Sequence, residues 1–283
     1  IFDMRGFYAD ERVDGKIWSK SHFIYKHIYN YFKKKEKEFL QSSQHTISLT
    51  KNGKKEIESW NLPNQSPISI IPCCTDEKLF KKQNIIDKKT ELGIHKDDFV
   101  ISYVGSIGTW YMLDEMLDFF AVFFAKNLKN KALFITQDNS RHILEIASTK
   151  GIDLSKIIIV SSKRIDVPSY LSLSSASIFF IKPVFSKKAS SATKMGEIMS
   201  LEIPVICNII GDNEAILKDV CPQLVTRNFS NEEYLRVLDE LNYISQEDKT
   251  QIGNKAREYY SLEKGVSQYY KIYNSILQTD SSK

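Results

Sequence analysis

The sequence lacks several features that would assign it to a class at once. Its longest apolar runs, residues 119–125 and 176–181, are far shorter than the roughly 20 residues that cross a bilayer, so no membrane-spanning segment is predicted. The net charge of +4, from 39 basic and 35 acidic residues, is too small to indicate a nucleic-acid partner. No Asp-x-Asp motif occurs, so the sequence does not indicate a bridging metal ion.

The four cysteines are too scattered to suggest a metal site. Cys73 and Cys74 are adjacent, Cys207 and Cys221 are isolated, and no pair has the spacing of metal ligands, which favours reduced thiols. The chain opens on Ile1 with no initiator methionine and no signal-like segment. We therefore expect a cytoplasmic protein, with further residues upstream of Ile1.

What is present is the composition of an ordinary globular protein. Hydrophobic residues make up 42% and charged residues 26% of the 283 residues, which allows a proper core. Because single domains cluster at roughly 100–150 residues, this length predicts two unequal domains. The polar, lysine-rich segment 76–96 has no apolar run long enough for a core strand, and we place the domain boundary there.

Apolar runs and helical patterns alternate along most of the chain. From residue 99 onward the predicted strands are apolar on both faces, which indicates an α/β fold with a parallel, doubly wound sheet. Ligands of such sheets bind beyond the carboxyl ends of the strands. The predicted strands are 45–50, 68–71, 99–104, 132–136, 157–160, 178–181, 205–207 and 224–225, and the predicted helices are 21–41, 54–60, 113–127, 141–150, 168–174, 193–200 and 213–219, with more helix over 231–278.

Two loops are candidates for binding an anion. Gly105, Ser106 and Gly108 follow a predicted strand, and glycine lets the main chain approach a phosphate closely. A plain tight turn is the alternative interpretation. The second loop leads into the helix 193–200, where backbone donors and the helix dipole favour a diphosphate. It contributes Ser190, Ser191, Thr193 and Lys194, and Glu197 is placed to accept hydrogen bonds from a diol such as ribose; an ordinary helix capped by Ser191 or Thr193 is the alternative.

Taken together, these segments resemble glycosyltransferase family four, the retaining enzymes of GT-B fold. The stretch 190–206, SSATKMGEIMSLEIPVI, is similar to the family's SSPTKxGE variant and is the strongest single match. Residues 70–80, IIPCCTDEKLF, resemble its interdomain strand and turn, and 103–108, YVGSIG, its phosphate loop. Residues 2–11 resemble a strand and loop midway through its acceptor domain.

The resemblance implies two Rossmann-like domains with parallel sheets, the N-terminal one truncated. Residues 1–75 would form a partial acceptor domain and residues 76–262 a nucleotide-sugar-binding domain. Residues 263–283 would form a helix that packs back on the N-terminal domain.

Some family positions carry over and others depart. Glu197 matches the second glutamate of the family's Glu-x7-Glu signature, which holds the nucleotide ribose. The first glutamate, which contacts the donor sugar, falls on Ala189, so that contact must come from elsewhere. Ser106 stands in place of an arginine and Tyr111 near a usual lysine, and Lys194 would supply part of the missing positive charge.

Further positions carry weaker assignments. Lys163, Arg164 and Ile165 follow the strand whose exit loop faces the nucleobase in this family, although solvated side chains are the common alternative. Asp3 and Arg5 are candidates for an acceptor-side base or positioning group, and a purely structural pair is at least as plausible.

The resemblance implies transfer of a sugar, with retention of configuration, from a nucleoside diphosphate donor to a glycan or lipid-linked acceptor in surface polysaccharide synthesis. A UDP-sugar is favoured, and no other cofactor and no metal is expected, because amides, helix dipole and Lys194 would neutralise the diphosphate. The alternatives are a non-catalytic nucleotide-sugar-binding or assembly subunit and a GT-B-type sugar epimerase.

One face of the first long predicted helix is strongly basic. Contact with anionic lipid would suit a lipid-linked acceptor and would make the protein peripheral at the inner membrane face. A solvated charged face is the favoured alternative. The lysines are Lys16, Lys20, Lys26, Lys33, Lys34, Lys35 and Lys37.

Overall fold

The computed structural model describes residues 1–83 and 86–281, and it contains two parallel sheets. The strands are β1 (Phe2–Met4), β2 (Thr46–Ser48), β3 (Ile68–Ile70), β4 (Phe99–Val104), β5 (Asn130–Ile135), β6 (Ile157–Val160), β7 (Ala176–Phe179), β8 (Val205–Asn208) and β9 (Val225–Thr226). The helices are α1 (Tyr8–Asp14), α2 (Phe23–Ser42), α3 (Lys51–Ser59), α4 (Ile86–Glu91), α5 (Leu113–Lys126), α6 (Ser140–Thr149), α7 (Val167–Leu171), α8 (Thr193–Ser200), α9 (Asn213–Leu217), α10 (Asn231–Leu241), α11 (Gln246–Tyr259) and α12 (Leu262–Ser281).

The order of the strands places the ligand crevice. The small sheet runs β1-β2-β3 and the large one β6-β5-β4-β7-β8-β9, with every pair parallel. The chain builds the large sheet outward from β4 in one direction and then from β7 in the other. Since the crossovers diverge between β4 and β7, a crevice opens at the carboxyl ends of these strands.

The predicted elements agree closely with the observed ones in the large sheet. Strands β4 and β6 and helix α8 have the predicted bounds, and the remaining predicted elements differ by a few residues at their ends. Helices α1 and α4 were not predicted. Residues 84 and 85, within the segment predicted to hold the domain boundary, and residues 282 and 283 lie outside the described residues.

Each sheet has its own buried cluster, and the chain crosses between them twice. A large core surrounds β4, β5 and β7, whereas Phe7, Ile57 and Ala189 belong to a smaller one. Helix α12 returns to the small sheet, where its Ile272 packs with Ile47. The two crossings lie side by side, since the Thr75 amide donates to the carbonyl oxygen of Tyr260 at 2.7 Å.

Candidate functional site

A cavity of about 670 Å³ opens at the carboxyl ends of β4, β5, β6 and β7. This is the place that the divergence of the crossovers predicts for a ligand. All eleven predicted site residues are described, and eight of them line the cavity: Gly105, Ser106, Arg164, Ser190, Ser191, Thr193, Lys194 and Glu197. Gly108, Lys163 and Ile165 do not line it.

Gly105 allows the floor of the cavity to form. Its φ of +115° lies in the region that favours glycine, and a Cβ there would come within 2.9 Å of the Lys194 ammonium nitrogen. Its amide continues the sheet by donating to the carbonyl oxygen of Ile135 at 3.0 Å. The glycine therefore brings the main chain of the first loop directly against the lysine of the second.

Lys194 is a buried cation without an acidic partner. Its Nζ donates to the hydroxyl of Tyr103 at 3.2 Å and lies 3.6 Å from the ring centroid of Tyr111. No carboxylate of the described residues lies within 4.0 Å of it. Burial lowers the pKa of Lys194 to about 7, and the charge of nearby Glu197 acts in the opposite direction. An anion entering the cavity would supply the missing countercharge.

The start of α8 has no side-chain cap. Ala192 occupies the N-cap position, and Ser191, which the capped-helix alternative placed there, instead accepts a hydrogen bond from the Cys73 amide at 3.2 Å. The first amides of the helix therefore lack the side-chain acceptor that an N-cap usually supplies. They lie at the cavity wall with Thr193 and Lys194.

Glu197 is buried one turn into the same helix, and its carboxylate lines the cavity. Its Oε1 lies 2.5 Å from a guanidinium nitrogen of Arg164, which comes from the loop after β6 and is mostly exposed. Arg164 was predicted to face a nucleobase, and the structure brings it to this carboxylate. The pair joins the helix start to the outer rim of the cavity.

Ala189 does not face the cavity. It is buried in the small core, where a Cβ on Gly53 would come within 3.0 Å of its methyl group. Two residues earlier, Lys187 does line the cavity, and its Nζ lies 2.8 Å from Glu11 Oε1 and 3.8 Å from the Trp110 ring centroid. Lys187 was not among the predicted site residues, because its partner comes from the unpredicted helix α1.

The loop after β4 is also contacted by an acidic side chain that the sequence did not indicate. Asp138, from the loop after β5, lines the cavity and accepts a hydrogen bond from the backbone amide of Ile107. Its own amide donates to the hydroxyl of buried Thr136 at 3.1 Å. In the loop that resembles a phosphate-binding loop, one backbone amide is therefore already hydrogen-bonded to a carboxylate.

Asp3 and Arg5 lie away from this cavity. The Tyr269 hydroxyl donates to Asp3 at 3.1 Å, and Arg5 contacts the Cys73 sulfur at 3.8 Å, an interaction that raises the pKa of Arg5. Both residues line a second cavity of about 410 Å³, together with Glu11. Their contacts tie β1 to the chain crossing and to α12.

Among residues 1–83 and 86–281, no group of three or more histidine, cysteine, aspartate or glutamate side chains is placed to hold a metal ion. Within the same part of the chain, none of the helices combines the length and apolarity required to cross a bilayer.

Comparison with known proteins identifies the fold. No protein-family model matches the sequence, and no curated protein matches it. Sucrose-phosphate synthase from Thermosynechococcus elongatus superimposes with a TM-score of 0.69 at 16% identity, over 86% of this chain and 61% of that one. A glycosyltransferase from Rickettsia africae gives a TM-score of 0.70 at 13% identity, over 85% and 66%.

HepE from Anabaena, solved in complex with UDP-glucose, is similar with a TM-score of 0.67 at 13% identity, over 84% of this chain and 65% of that one. The chain thus spans less than two thirds of the length of these proteins. The likeness establishes the fold as GT-B, with two Rossmann-like units built on parallel sheets, as the sequence predicted.

Proposed function

We propose that this chain binds a nucleoside diphosphate sugar in the large cavity and belongs to a retaining glycosyltransferase of family four. The observation that carries the proposal is Lys194, a buried ammonium with no carboxylate within 4.0 Å among the described residues. It lines the cavity beside the uncapped start of α8. Helix-start amides without a side-chain cap, a helix dipole and a desolvated cation at one wall suit a diphosphate.

The neighbouring groups suggest how the rest of such a donor would lie. The diphosphate contacts Lys194 and the first amides of α8, and Glu197 binds the ribose after exchanging its contact with Arg164. The base then lies toward the loops after β5 and β6. A UDP-sugar is favoured, since HepE, one of the similar structures, was solved with UDP-glucose.

The transfer step requires neutralisation of the leaving diphosphate. Preorganised donors in a water-poor site stabilise such charge effectively, and here Lys194 and the α8 amides supply them without a metal ion. Retention of configuration follows from the family resemblance. We propose the domain limits 1–75, 76–262 and 263–283 for the acceptor part, the donor part and the returning helix.

We further propose a glycan or lipid-linked acceptor of surface polysaccharide synthesis, handled by a cytoplasmic protein peripheral to the inner membrane face. Exposed Phe23 and Ile24 at the start of α2 lie next to the predicted basic face, which supports contact with lipid. Only part of that face is available, because Lys33 pairs with Asp10 and Glu36. Absence of lipid co-sedimentation would contradict the membrane contact, and co-sedimentation that persists unchanged after replacement of the other lysines would contradict the role of the basic face.

A thermal-shift and calorimetric screen of UDP-, GDP- and ADP-sugars tests the donor site. We expect one base class to stabilise the chain, by about 2.7 kcal/mol at a hundredfold excess over the dissociation constant. Glu197→Ala should weaken binding, whereas Glu247→Ala, an exposed carboxylate on α11, should leave it unchanged. Absence of stabilisation by all three classes would contradict the proposal.

A non-catalytic nucleotide-sugar-binding subunit is the second candidate. The burial of Ala189 in the small core favours it, because the position of the family's sugar-contacting glutamate faces away from the cavity. A longer protein that binds the nucleotide sugar yet neither hydrolyses nor transfers it would establish this candidate over the enzyme.

A further inference from the structure

The loop after β4 resembles a phosphate-binding loop, but one of its backbone amides is already bonded to a carboxylate. Gly105 brings the main chain to the cavity, as a phosphate-binding loop requires, yet the Ile107 amide already donates to the carboxylate of Asp138. Asp138 is exposed; its main chain is held by the bond from its amide to Thr136, and its side chain by the bond from the Ile107 amide. Its side chain is therefore able to leave the loop without disturbing the core.

Resting on the proposed donor site, we propose that Asp138 is a built-in competitor of the donor diphosphate. Its carboxylate occupies an amide of the Gly105–Gly108 loop, and it must move away when phosphate oxygens arrive.

Charge sets the two occupants against each other. Asp138 lines the cavity proposed for the diphosphate, and the repulsion between a carboxylate and a phosphate in a partly desolvated cavity exceeds that in water. The negative charge of Asp138 already reaches the site, since the pKa of Tyr103 is raised by burial first, then by Tyr111 and by Asp138. Tyr103 is the residue whose hydroxyl accepts the hydrogen bond from Lys194. Asp138 therefore weakens the anion site that Lys194 builds.

Two substitutions separate the charge from the hydrogen bond. Asp138→Asn keeps an acceptor for the Ile107 amide but removes the charge, and Asp138→Ala frees the amide as well. We expect UDP-glucose to bind about 3-fold more tightly to the first variant and about 10-fold more tightly to the second, by calorimetric titration. Asp97→Asn, which removes the same charge at an exposed ion pair with Lys129, should bind as the wild type does.

Uridine provides the control on the ligand side, because it lacks phosphate and should bind equally to all four proteins. Equal or weaker binding of UDP-glucose to both Asp138 variants, with unchanged thermal midpoints, overturns the competitor role while leaving the donor site intact. If the wild type and both Asp138 variants bind none of the UDP-, GDP- and ADP-sugars, the donor site and the competitor role are both wrong. Tighter binding of uridine as well would also overturn the proposal, since the effect would then not concern phosphate.

Discussion

Two buried lysines line the same cavity, and they differ in what neutralises them. Lys187 is paired with Glu11 at 2.8 Å, so its charge fastens α1 to the loop before α8. Among the described residues, aromatic faces and a tyrosine hydroxyl surround the Lys194 ammonium, and no carboxylate lies within 4.0 Å of it. The comparison teaches that burial of a cation alone does not mark a ligand site. An unneutralised cation at the wall of a cavity is the informative feature.

Removing the unpaired cation should have the largest effect on binding. We expect Lys194→Met to weaken UDP-sugar binding about 10- to 100-fold, the range for losing a hydrogen bond to a charged group. The free energy of unfolding of this variant should stay the same or rise, because an unpaired buried charge destabilises the folded state. Calorimetry and urea unfolding measure the two quantities. Unchanged affinity would show that Lys194 is a structural residue.

The paired cation should give the reverse pattern. Lys187→Met leaves Glu11 without its partner, and we expect a loss of about 1–3 kcal/mol in the free energy of unfolding. The affinity for a UDP-sugar should change less than threefold. Urea unfolding of this variant beside Lys194→Met makes a matched pair. If Lys187→Met weakened binding as much as Lys194→Met does, the two lysines would not differ in their roles, and the contrast would be wrong.

The pH dependence of binding sharpens the same contrast. Because the pKa of Lys194 is about 7 in the free protein and a diphosphate favours the charged form, UDP-sugar affinity should fall about tenfold from pH 6 to pH 8. Without ligand, the free energy of unfolding should rise with pH between about pH 7 and 10.5. In this range the Lys194 side chain holds its proton in the unfolded chain and has lost it in the folded one.

Lys194→Arg is the control for this titration. A guanidinium stays charged throughout the range, so the variant should bind with little dependence on pH. A wild-type profile that is flat between pH 6 and pH 8 would contradict the assignment.

The smallest effect concerns the aromatic face beside Lys194. Tyr111→Leu removes a ring that stabilises the ammonium, an interaction worth about 0.5–1 kcal/mol, and should weaken UDP-sugar binding about threefold. Tyr111→Phe retains the ring and should bind as the wild type does. Equal losses in the two variants would assign the effect to the hydroxyl instead.

The large sheet was predictable because its strands are apolar on both faces. Strand β4 and helix α8 follow from local pattern alone, and the residues near their ends, Gly105 and Lys194, were identified with them. The family resemblance, not the local pattern, predicted that the loop after β4 and the loop before α8 belong to one site. From periodicity alone, the first loop could equally be a plain turn and the second an ordinary capped helix.

The parts that sequence missed depend on contacts between distant segments. Helix α1 has only seven residues. Its Glu11, and Phe7 just before it, find their partners in the segment 185–189. Asp138 reaches an amide 31 residues away in the chain. These contacts join residues far apart in the chain, so they produce no periodic pattern in the local sequence from which they could be predicted.

The two connections between the sheets meet at Thr75 and Tyr260, where they are hydrogen-bonded side by side. A Cβ on Gly196 would come within 2.5 Å of the Thr75 hydroxyl and 2.7 Å of the Tyr260 ring, so only a glycine lets α8 pack this closely against the crossing. The helix that bears Lys194 and Glu197 is therefore packed against both connections between the two sheets.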